Sequence, residues 1–366
     1  MSHIYTEDQQ QIRDEARRYL QESYSGERLK ALLTQKGAFD TVLWQACRDM
    51  GWTGITIPEA YGGLGLTPLE LCIIIEECGR VAAGAPFLAS GFALSEALRL
   101  WGEDALKEKY LPALATGETI GTFSFAVPLG KAASQPVRFK DGLLFGKEPC
   151  VLAGANADLA IILVVDEEQI DALVVVDLRQ ESVERFLIDT FDNSRGTADL
   201  HFNGALAVRL VMPDSKNAVR QLLAGLAVLA TFEQVGGADA CMETARDYAN
   251  DRQAFGQRIG KFQSIKHRIA EMYVANELAR GNAVHAALSL SEARDDLTLS
   301  AAAARVSATE AYEFAAREAI QVHGAIGVTW EHDLHLHYRR SRSLALELGS
   351  AFLWEDVIVD ILEKAA

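Results

Sequence analysis

The chain has 366 residues, of which 49% are apolar and 23% are charged, a balance that argues against disorder over most of its length. Its formal net charge of −16 gives an acidic surface, which repels phosphate backbones and argues against nucleic-acid binding. The longest apolar run, 222–230, falls short of the ~20 residues of a membrane span, so it predicts a buried helix rather than a membrane protein. Five scattered cysteines and a polar, acidic start predict a cytoplasmic protein with neither a disulfide framework nor a leader peptide.

Residues 1–115 have the pattern of an N-terminal α-helical domain. The first helical segment follows Thr6, a residue type that caps helix N-termini, and its apolar positions Ala16 and Leu20 recur at helical spacing. The glycine-rich run 61–65 lacks the lysine and the preceding strand of a phosphate-binding loop. It therefore predicts a turn that leads into an apolar helix.

Residues 116–213 change to short runs rich in β-branched and aromatic residues. Asp141–Gly142 and Asn203–Gly204 lie between such runs, and these dipeptides are typical of hairpin turns. A middle β-barrel domain, with a sandwich as the alternative closure, is the prediction for this block.

Residues 214–366 return to helical periodicity. The segments predicted as helices of an antiparallel four-helix bundle are 216–250, 262–292, 297–323 and 333–364. The predicted fold class is therefore mainly α with a β middle domain, in the order helical domain, β-barrel, four-helix bundle.

The first candidate binding motif lies between the first two bundle helices. Arg252, Phe255 and Gly256 interrupt the helical pattern, which restarts at Gln263. A guanidinium group pairs with phosphate and a ring packs on a flat heterocycle, so this composition suits an anionic, planar ligand. An ordinary helix end with a solvated arginine is the alternative.

The second candidate motif lies between the third and fourth bundle helices. Gln321 and His323 precede Gly324 and Ala325, and a glycine at this point allows a ligand to approach the backbone closely. Backbone amides in such a bend can hold a pyrophosphate group. A tight turn between two helices is the alternative.

With these motifs the sequence resembles the acyl-CoA dehydrogenase family. RQAFGQRIGKFQ is similar to the family's R-x-x-F-G…F-Q segment, and QVHGAIGVTWEHDLHLHYRR is similar to its Q-x-x-G…W-E…R-R segment. PEAYGGLGL is similar to the N-terminal motif of the family. The three segments occur in the family's order across nearly the whole chain.

The resemblance implies FAD bound between subunits and the α,β-dehydrogenation of an acyl-CoA substrate. It also implies an electron-transfer flavoprotein as acceptor and a tetrameric assembly. The residues that it assigns to the cofactor are Arg252, Phe255, Gly256, Gln263, Gln321, His323, Gly324 and Ala325.

The family's reaction needs a carboxylate that removes a proton from the α-carbon. Leu348 occupies the position of the usual glutamate, and Glu347 is displaced by one residue, about 100° on a helix. A second family position, early on the first bundle helix, corresponds to Leu226. Glu233, seven residues later in an apolar stretch, is the other candidate base, with a solvated or hydrogen-bonded structural glutamate as the alternative.

The half of the site that surrounds the flavin ring in the family departs from the pattern. Ala126, Cys150 and Leu152 stand where threonine, tryptophan and a second hydroxyl residue are usual. The matching remnants are Pro128, Gly130 and Ser134. This asymmetry favours a partner subunit of a hetero-oligomeric acyl-CoA dehydrogenase, of the kind that acts on bulky thioesters such as those of steroid side chains.

Three alternatives stay open from the sequence. The chain is a homo-oligomeric enzyme with its own base, a catalytically silent subunit that completes the FAD site of a heterotetramer, or a member that works in the direction of a reductase. A metal site is not predicted, because His332, His335 and His337 do not share one helix face.

Overall fold

A computed structural model of the chain describes residues 5–83, 88–124, 137–167, 171–212 and 214–365. The chain forms two compact units. The segments of the first unit are Met1–Lys30, Cys72–Ala83 and Ala227–Ala366. Those of the second unit are Ala31–Leu71 and Gly84–Leu226.

Helices precede and follow a block of strands along the chain. The α-helices are α1 (Glu7–Ser23), α2 (Gly26–Leu33), α3 (Thr41–Asp49), α4 (Pro68–Arg80), α5 (Ser95–Trp101), α6 (Asp104–Ala115), α7 (Ser215–Asp251), α8 (Gln263–Ser291), α9 (Leu297–His323), α10 (Leu334–Leu346) and α11 (Ala351–Ala365). The strands are β1 (Gly121–Ser124), β2 (Arg138–Lys140), β3 (Leu143–Val151), β4 (Leu159–Val165), β5 (Asp171–Asp177), β6 (Val183–Leu187), β7 (Ala198–Arg209), β8 (Gln253–Ala254) and β9 (Gln257–Arg258). This order confirms the predicted fold class.

The start of α1 forms as the sequence predicts. The Thr6 hydroxyl accepts a hydrogen bond from the Gln9 amide at 3.2 Å, and the Gln9 side chain accepts one from the Thr6 amide at 3.0 Å. This reciprocal pair is a capping box, which satisfies two amides that a helix N-terminus otherwise leaves free. Ala16 and Leu20 are buried, as their helical spacing predicts.

The glycine-rich run 61–65 is a compact turn. The amides of residues 63 to 66 each donate a hydrogen bond to a backbone carbonyl of residues 54 to 58. A Cβ atom on Gly63 would lie 2.0 Å from the Ile57 carbonyl oxygen, so only glycine fits there. Because these amides are already bonded within the turn, they do not form a phosphate cradle.

The second unit contains a small closed barrel. The ring runs β4–β5–β7–β3–β2 and back to β4, with β1 added beside β4 and β6 beside β7. The pairs β1–β4 and β2–β4 are parallel, and the other pairs are antiparallel. Apolar side chains such as Leu144, Ile162, Val174 and Leu200 fill its interior.

The two predicted hairpin turns have different outcomes. Asp141 and Gly142 have φ values of 50° and 77° and join β2 to β3, as an Asp-Gly turn requires. The turn predicted at Asn203–Gly204 is wrong, because β7 runs through it. Gly204, with φ 79°, is instead an extra residue between two successive pairs with β3. An Asn-Gly pair permits this backbone in a hairpin or in a bulge, and pairing on both sides selects the bulge.

The last bundle segment is also predicted wrongly as one helix. It is divided, because α10 ends at Leu346 and α11 begins at Ala351. Leu348 and Gly349, in the connecting turn, have φ values of 60° and 92°, which no α-helix accommodates. Glu347 therefore lies in a turn, and the helical rotation used in the sequence argument does not apply to it.

A buried arginine of α9 binds the carbonyl groups that this break leaves free. The Arg305 guanidinium donates hydrogen bonds to the carbonyl oxygens of Leu344 and of Glu347, the latter at 2.6 Å. It also donates to the Gln234 side chain at 2.5 Å. The helix C-terminus carries a partial negative charge, so this buried cation stabilises the end of α10 where it stops.

In the first unit, α4 and α7 cross at two glycines. A Cβ atom on Gly79 would lie 2.1 Å from the Glu233 carbonyl oxygen, and one on Gly236 would lie 1.9 Å from the Glu76 carbonyl oxygen. The backbones therefore touch, and the acidic residues of both helices become buried around the crossing. Arg280 of α8 compensates part of this charge through ion pairs with Glu76 and with Asp239.

Helix α7 contains a stretch, Asn217–Asp251, that is long and apolar enough to cross a membrane by length and composition alone. Its most apolar window is 89% buried inside the protein. This is the burial of a core helix, as the run 222–230 predicts.

Candidate cofactor site

A short hairpin between α7 and α8 presents an exposed aromatic ring. Phe255, at its tip, is 95% exposed and has φ 53°, and Gly256 beside it has φ 79°. Phe262 is 6.2 Å away in an edge-on arrangement. A phenylalanine this exposed on a strained tip buries almost none of its ring within its own chain, which leaves the face open to a planar group.

The arginine before this hairpin has a fixed backbone and an exposed side chain. The Arg252 amide donates to the Tyr248 carbonyl at 2.8 Å, and the Arg252 carbonyl accepts from the Ile259 amide at 2.9 Å. The residue itself is exposed. The backbone at Arg252 is therefore fixed, while its exposed guanidinium group is accessible to a phosphate oxygen.

The bend after α9 has the open backbone that a close ligand contact needs. Gly324 has φ 69° and ψ −147°, a conformation that L side chains rarely adopt, and a Cβ atom built there would meet nothing within 4 Å. Gln321 and Ala325 on either side of it are exposed. The glycine is thus required by its backbone conformation, and the space in front of it is free.

A stack of rings holds the two segments at one end of the bundle. The His323 ring lies 4.1 Å from the Tyr248 ring, nearly parallel to it, and 4.7 Å from the His332 ring. Because Tyr248 is one helical turn before Arg252, the stack places the hairpin beside the bend. Gln263, the exposed first residue of α8, follows the hairpin.

His323 itself is placed differently from its neighbours in the motif. It is buried, at 6% exposure, and its Nδ1 donates to the Ala319 carbonyl at 2.8 Å. Burial lowers the pKa of its imidazole, which favours the neutral ring. These contacts indicate a ring that joins the two segments, so a direct contact of His323 with a cofactor stays a prediction.

Glu233, the first candidate base, is committed to a buried ion pair. Its Oε1 accepts a hydrogen bond from Arg340 Nη1 at 2.7 Å, and the same guanidinium group donates to the Ala83 carbonyl at 2.7 Å. Glu233 is 5% exposed and Arg340 is 1% exposed. This arrangement favours the hydrogen-bonded structural glutamate among the alternatives, because the carboxylate is buried and engaged by the Arg340 guanidinium.

Glu347, the second candidate, lies in the turn between α10 and α11 and is half-buried. Its carbonyl oxygen is bound by Arg305. The following residue, Leu348, is buried and accepts a hydrogen bond from the Trp354 indole at 2.9 Å. The backbone of the turn is therefore rigidly held, and the catalytic role of Glu347 stays a prediction.

In the second unit, β3 ends at an irregular segment that contains the substituted position Cys150. Two residues of β3, Pro149 and Cys150, face one residue of β7, so the strand has a bulge. Cys150 is exposed, has φ 53°, and its amide donates to the Asp199 carboxylate at 2.8 Å. The other sequence departures and remnants between residues 126 and 134 lie outside the described residues.

Comparison with known proteins supplies the family. The model of the acyl-CoA dehydrogenase N-terminal domain matches residues 6–118, and that of the C-terminal domain matches residues 217–358. The acyl-CoA dehydrogenase IpdE2 of Mycobacterium tuberculosis is 30% identical over 327 residues, which cover 88% of this chain and 87% of that protein. The chain belongs to the acyl-CoA dehydrogenase family. Members of this family are flavin-dependent oxidoreductases that act on CH–CH bonds.

Two solved structures of the family share the fold. A variant of the Tcur3481–Tcur3483 steroid ACAD has a TM-score of 0.88 at 22% identity and covers 98% of both chains. The ChsE4–ChsE5 complex from Mycobacterium tuberculosis has a TM-score of 0.88 at 24% identity, also with 98% of both chains covered. At this identity the likeness describes the fold alone.

The residues of the family motif in the bundle fit an FAD dinucleotide. The exposed Arg252 guanidinium suits the anionic pyrophosphate, the exposed Phe255 ring suits a flat heterocycle, and the open backbone at Gly324 admits close contact. Sequence reasoning missed Tyr248 and His332, which hold the two segments together. It had no signal for them, because stacking depends on which helix ends meet.

Sequence reasoning also missed the partners of both candidate bases. Arg340 is 107 residues from Glu233, and Arg305 is 42 residues from Glu347. No pattern of residue spacing in the sequence predicts either contact. Among the described residues, no group of three His, Cys, Asp or Glu side chains is arranged to hold a metal ion.

Proposed function

We propose that this chain is a cytoplasmic subunit of a hetero-oligomeric acyl-CoA dehydrogenase and that it completes the FAD site of a homologous partner. The observation that supports this proposal is the outward presentation of Arg252, Phe255 and the Gly324 bend at one end of the bundle. The backbone has a defined conformation at these positions, whereas described residues of the same chain do not cover the exposed groups.

The reaction of the assembly is the α,β-dehydrogenation of a CoA thioester. Bound FAD would supply the hydride acceptor for this reaction, with a carboxylate as the base for the α-proton and an electron-transfer flavoprotein as the electron acceptor. In this chain Arg252 would bind and orient the pyrophosphate, and Phe255 would cover a ring of the cofactor and exclude water from it.

The placement of Glu233 supports the completing role over a base in this chain. A general base must present a free carboxylate oxygen to the substrate, whereas Glu233 is buried and shares its charge with Arg340. At Cys150, where the family resemblance expects an aromatic residue beside the flavin ring, this chain has a bulge. This difference also supports the completing role. The partner then supplies the base and the ring pocket.

The substrate we propose is a bulky thioester, such as that of a steroid side chain. This follows from the proposed assembly, because the family resemblance associates two-subunit members with bulky acyl groups.

The test is the flavin absorbance of the purified chain, alone and co-expressed with a homologous subunit. We expect the chain alone to hold far less than stoichiometric flavin and the complex to hold about one flavin per shared site. Arg252→Gln in this chain should lower flavin affinity of the complex about tenfold, the loss of one charge-assisted contact.

Arg246→Gln is the matched control, because Arg246 is, like Arg252, an exposed arginine but lies within α7 and pairs with the adjacent Asp247. It should leave flavin affinity unchanged. Stoichiometric FAD and robust turnover of the chain alone would overturn the proposal and favour a complete enzyme with its own base.

A further inference from the structure

The interior of the barrel contains a carboxyl group that the proposed function does not use. Glu148 of β3 is 3% exposed and stands opposite Leu200 of β7. Its Oε2 lies 2.5 Å from the hydroxyl oxygen of Ser124, the last residue of β1. A hydroxyl group is thus its hydrogen-bond partner among the described residues.

The charged side chains of the neighbouring strands face elsewhere. Lys147, Arg138 and Lys140 are exposed. Asp199 accepts the hydrogen bond from the bulge amide, and the His201 ring stacks on an aromatic ring of β6 at 4.3 Å. The described part of the barrel therefore offers this carboxyl group no countercharge.

A buried carboxyl group without a countercharge is stable as the neutral acid. Burial raises the pKa of Glu148 to about 7, against a smaller opposing effect of the hydrogen bond with Ser124. Near neutral pH the group therefore changes between a neutral acid, which fits the apolar interior, and a carboxylate, which does not.

Glu148 borders the bulge of β3 on one side, and a second contact borders it on the other. The Thr122 hydroxyl of β1 donates to the Leu152 carbonyl. These two contacts tie β3 to β1 immediately before and after Cys150, the position where the family resemblance puts the ring-lining aromatic residue. The geometry of the bulge thus depends on both.

We propose that Glu148, as the neutral acid hydrogen-bonded to Ser124, fixes the Pro149–Cys150 bulge of β3 against β1. Ionisation of Glu148 weakens the attachment of β3 to β1, because the carboxylate is more stable in water than in the barrel interior. The bulge is then most rigid below neutral pH.

Cys150 is a built-in reporter for this inference, because it is exposed and the other four cysteines are buried. The full-length chain is alkylated with iodoacetamide between about pH 6 and about pH 8.5, as wild type and as Glu148→Gln. The amide of glutamine keeps a hydrogen bond to Ser124 but cannot ionise. As pH rises, more of the Cys150 thiol ionises in both proteins, which raises both alkylation rates equally. The ratio of the wild-type rate to the Glu148→Gln rate at each pH therefore reports the ionisation of Glu148 alone.

We expect this ratio to rise about threefold through neutral pH, as the wild-type bulge loosens and the variant does not. Glu184→Gln, at an exposed acid of β6, is the matched control and should give a constant ratio to wild type. Equal unfolding midpoints of the variants at about pH 6 establish that they are folded alike. A wild-type to Glu148→Gln ratio that is flat across the range overturns the inference.

Discussion

At the scale of single residues, Glu233 is constrained by the charge that surrounds it. Glu233 and Arg340 are both buried, so each is the main compensation for the other's charge. Breaking such a pair leaves an uncompensated charge in the interior, which costs far more than the pair itself contributes. Substitution of either residue is therefore expected to destabilise the folded protein, whether or not Glu233 has any chemical role.

We predict that Glu233→Gln lowers the free energy of unfolding by about 3 kcal/mol, because the buried Arg340 charge then loses its ion pair with Glu233. The double variant Glu233→Gln, Arg340→Met should lose less than the sum of the two single variants. Urea unfolding measures all three, and Glu271→Gln, at an exposed acid of α8, is the control. A variant of normal stability whose assembled enzyme loses turnover more than about 100-fold would instead identify Glu233 as the base.

His337 gives a prediction for pH dependence. Its Nδ1 lies 3.0 Å from the Tyr312 hydroxyl oxygen, and burial, assisted by the nearby Arg340 charge, lowers its pKa to about 4. Since the folded pKa lies below the unfolded value of about 6.5, the unfolded chain binds the proton first as pH falls. The stability contributed by neutral His337 is complete above about pH 6.5 and is lost as pH falls toward 4.

The expected loss is up to about 3 kcal/mol across that window. It is measured as the difference in unfolding free energy between wild type and His337→Gln at each pH, which cancels the contributions of other groups. His267→Gln, at an exposed position of α8, should give a flat difference. A flat difference for His337→Gln as well would show that His337 does not titrate with this shift.

At the scale of secondary-structure elements, a single buried cation stabilises the C-terminal end of α10. Arg305 binds two carbonyl groups at the end of that helix, and the turn that follows uses a positive φ at Leu348, which is unfavourable for leucine. The turn also contains Glu347. Its conformation is therefore a property of α9 as much as of its own sequence.

Arg305→Met should lower the unfolding free energy by about 2–4 kcal/mol, because two carbonyl groups and the Gln234 side chain lose their donor. Amide hydrogen exchange should accelerate specifically across residues 344–350. Arg317→Met is the matched control on the same helix, since Arg317 is 64% exposed. Unchanged exchange across 344–350 in Arg305→Met would contradict the assignment.

The crossing of α4 and α7 offers a second test at this scale. Gly79→Ala would place a methyl group 2.1 Å from a backbone oxygen of α7, so the helices must separate, and we expect severe loss of folded protein. Gly281→Ala, in the middle of α8, meets nothing within 4 Å and should be neutral or stabilising by about 0.5–1 kcal/mol. Thermal unfolding compares the two, and equal midpoints would refute the close crossing.

At the scale of the whole molecule, the proposed assembly explains why apolar surface is presented at the hairpin. We predict that Phe255→Ser changes the unfolding free energy by less than about 0.5 kcal/mol, because the ring is 95% exposed. The same variant should lower the flavin content of the co-expressed complex severalfold. Val42→Ser, at an apolar residue of α3 that is 61% exposed, should leave flavin content unchanged.

Equal flavin content in Phe255→Ser and wild-type complexes would remove the proposed role of this ring. Sedimentation of the same preparations separates the two ways in which flavin content can fall. Loss of the complex indicates a role in assembly, whereas an intact complex with little flavin indicates a contact with the cofactor.

Much of the architecture follows from local sequence. The capping box at Thr6, the buried positions Ala16 and Leu20, and the Asp141–Gly142 turn form as predicted, because each depends on residues only a few positions apart. The order of helical and β-rich blocks follows for the same reason. The family motifs around Arg252 and Gly324 can also be recognised in the sequence, since each is a continuous stretch of residues.

Tertiary structure alone decided the features that depend on distant residues. Asn203–Gly204 became a bulge because β7 pairs on both sides of it, and the last carbonyl groups of α10 are bound by Arg305 from another helix. The same is true of Glu233, whose ion pair is formed with an arginine on another helix. A sequence specifies which groups can ionise or turn, but burial and the partner that burial brings determine what those groups then do.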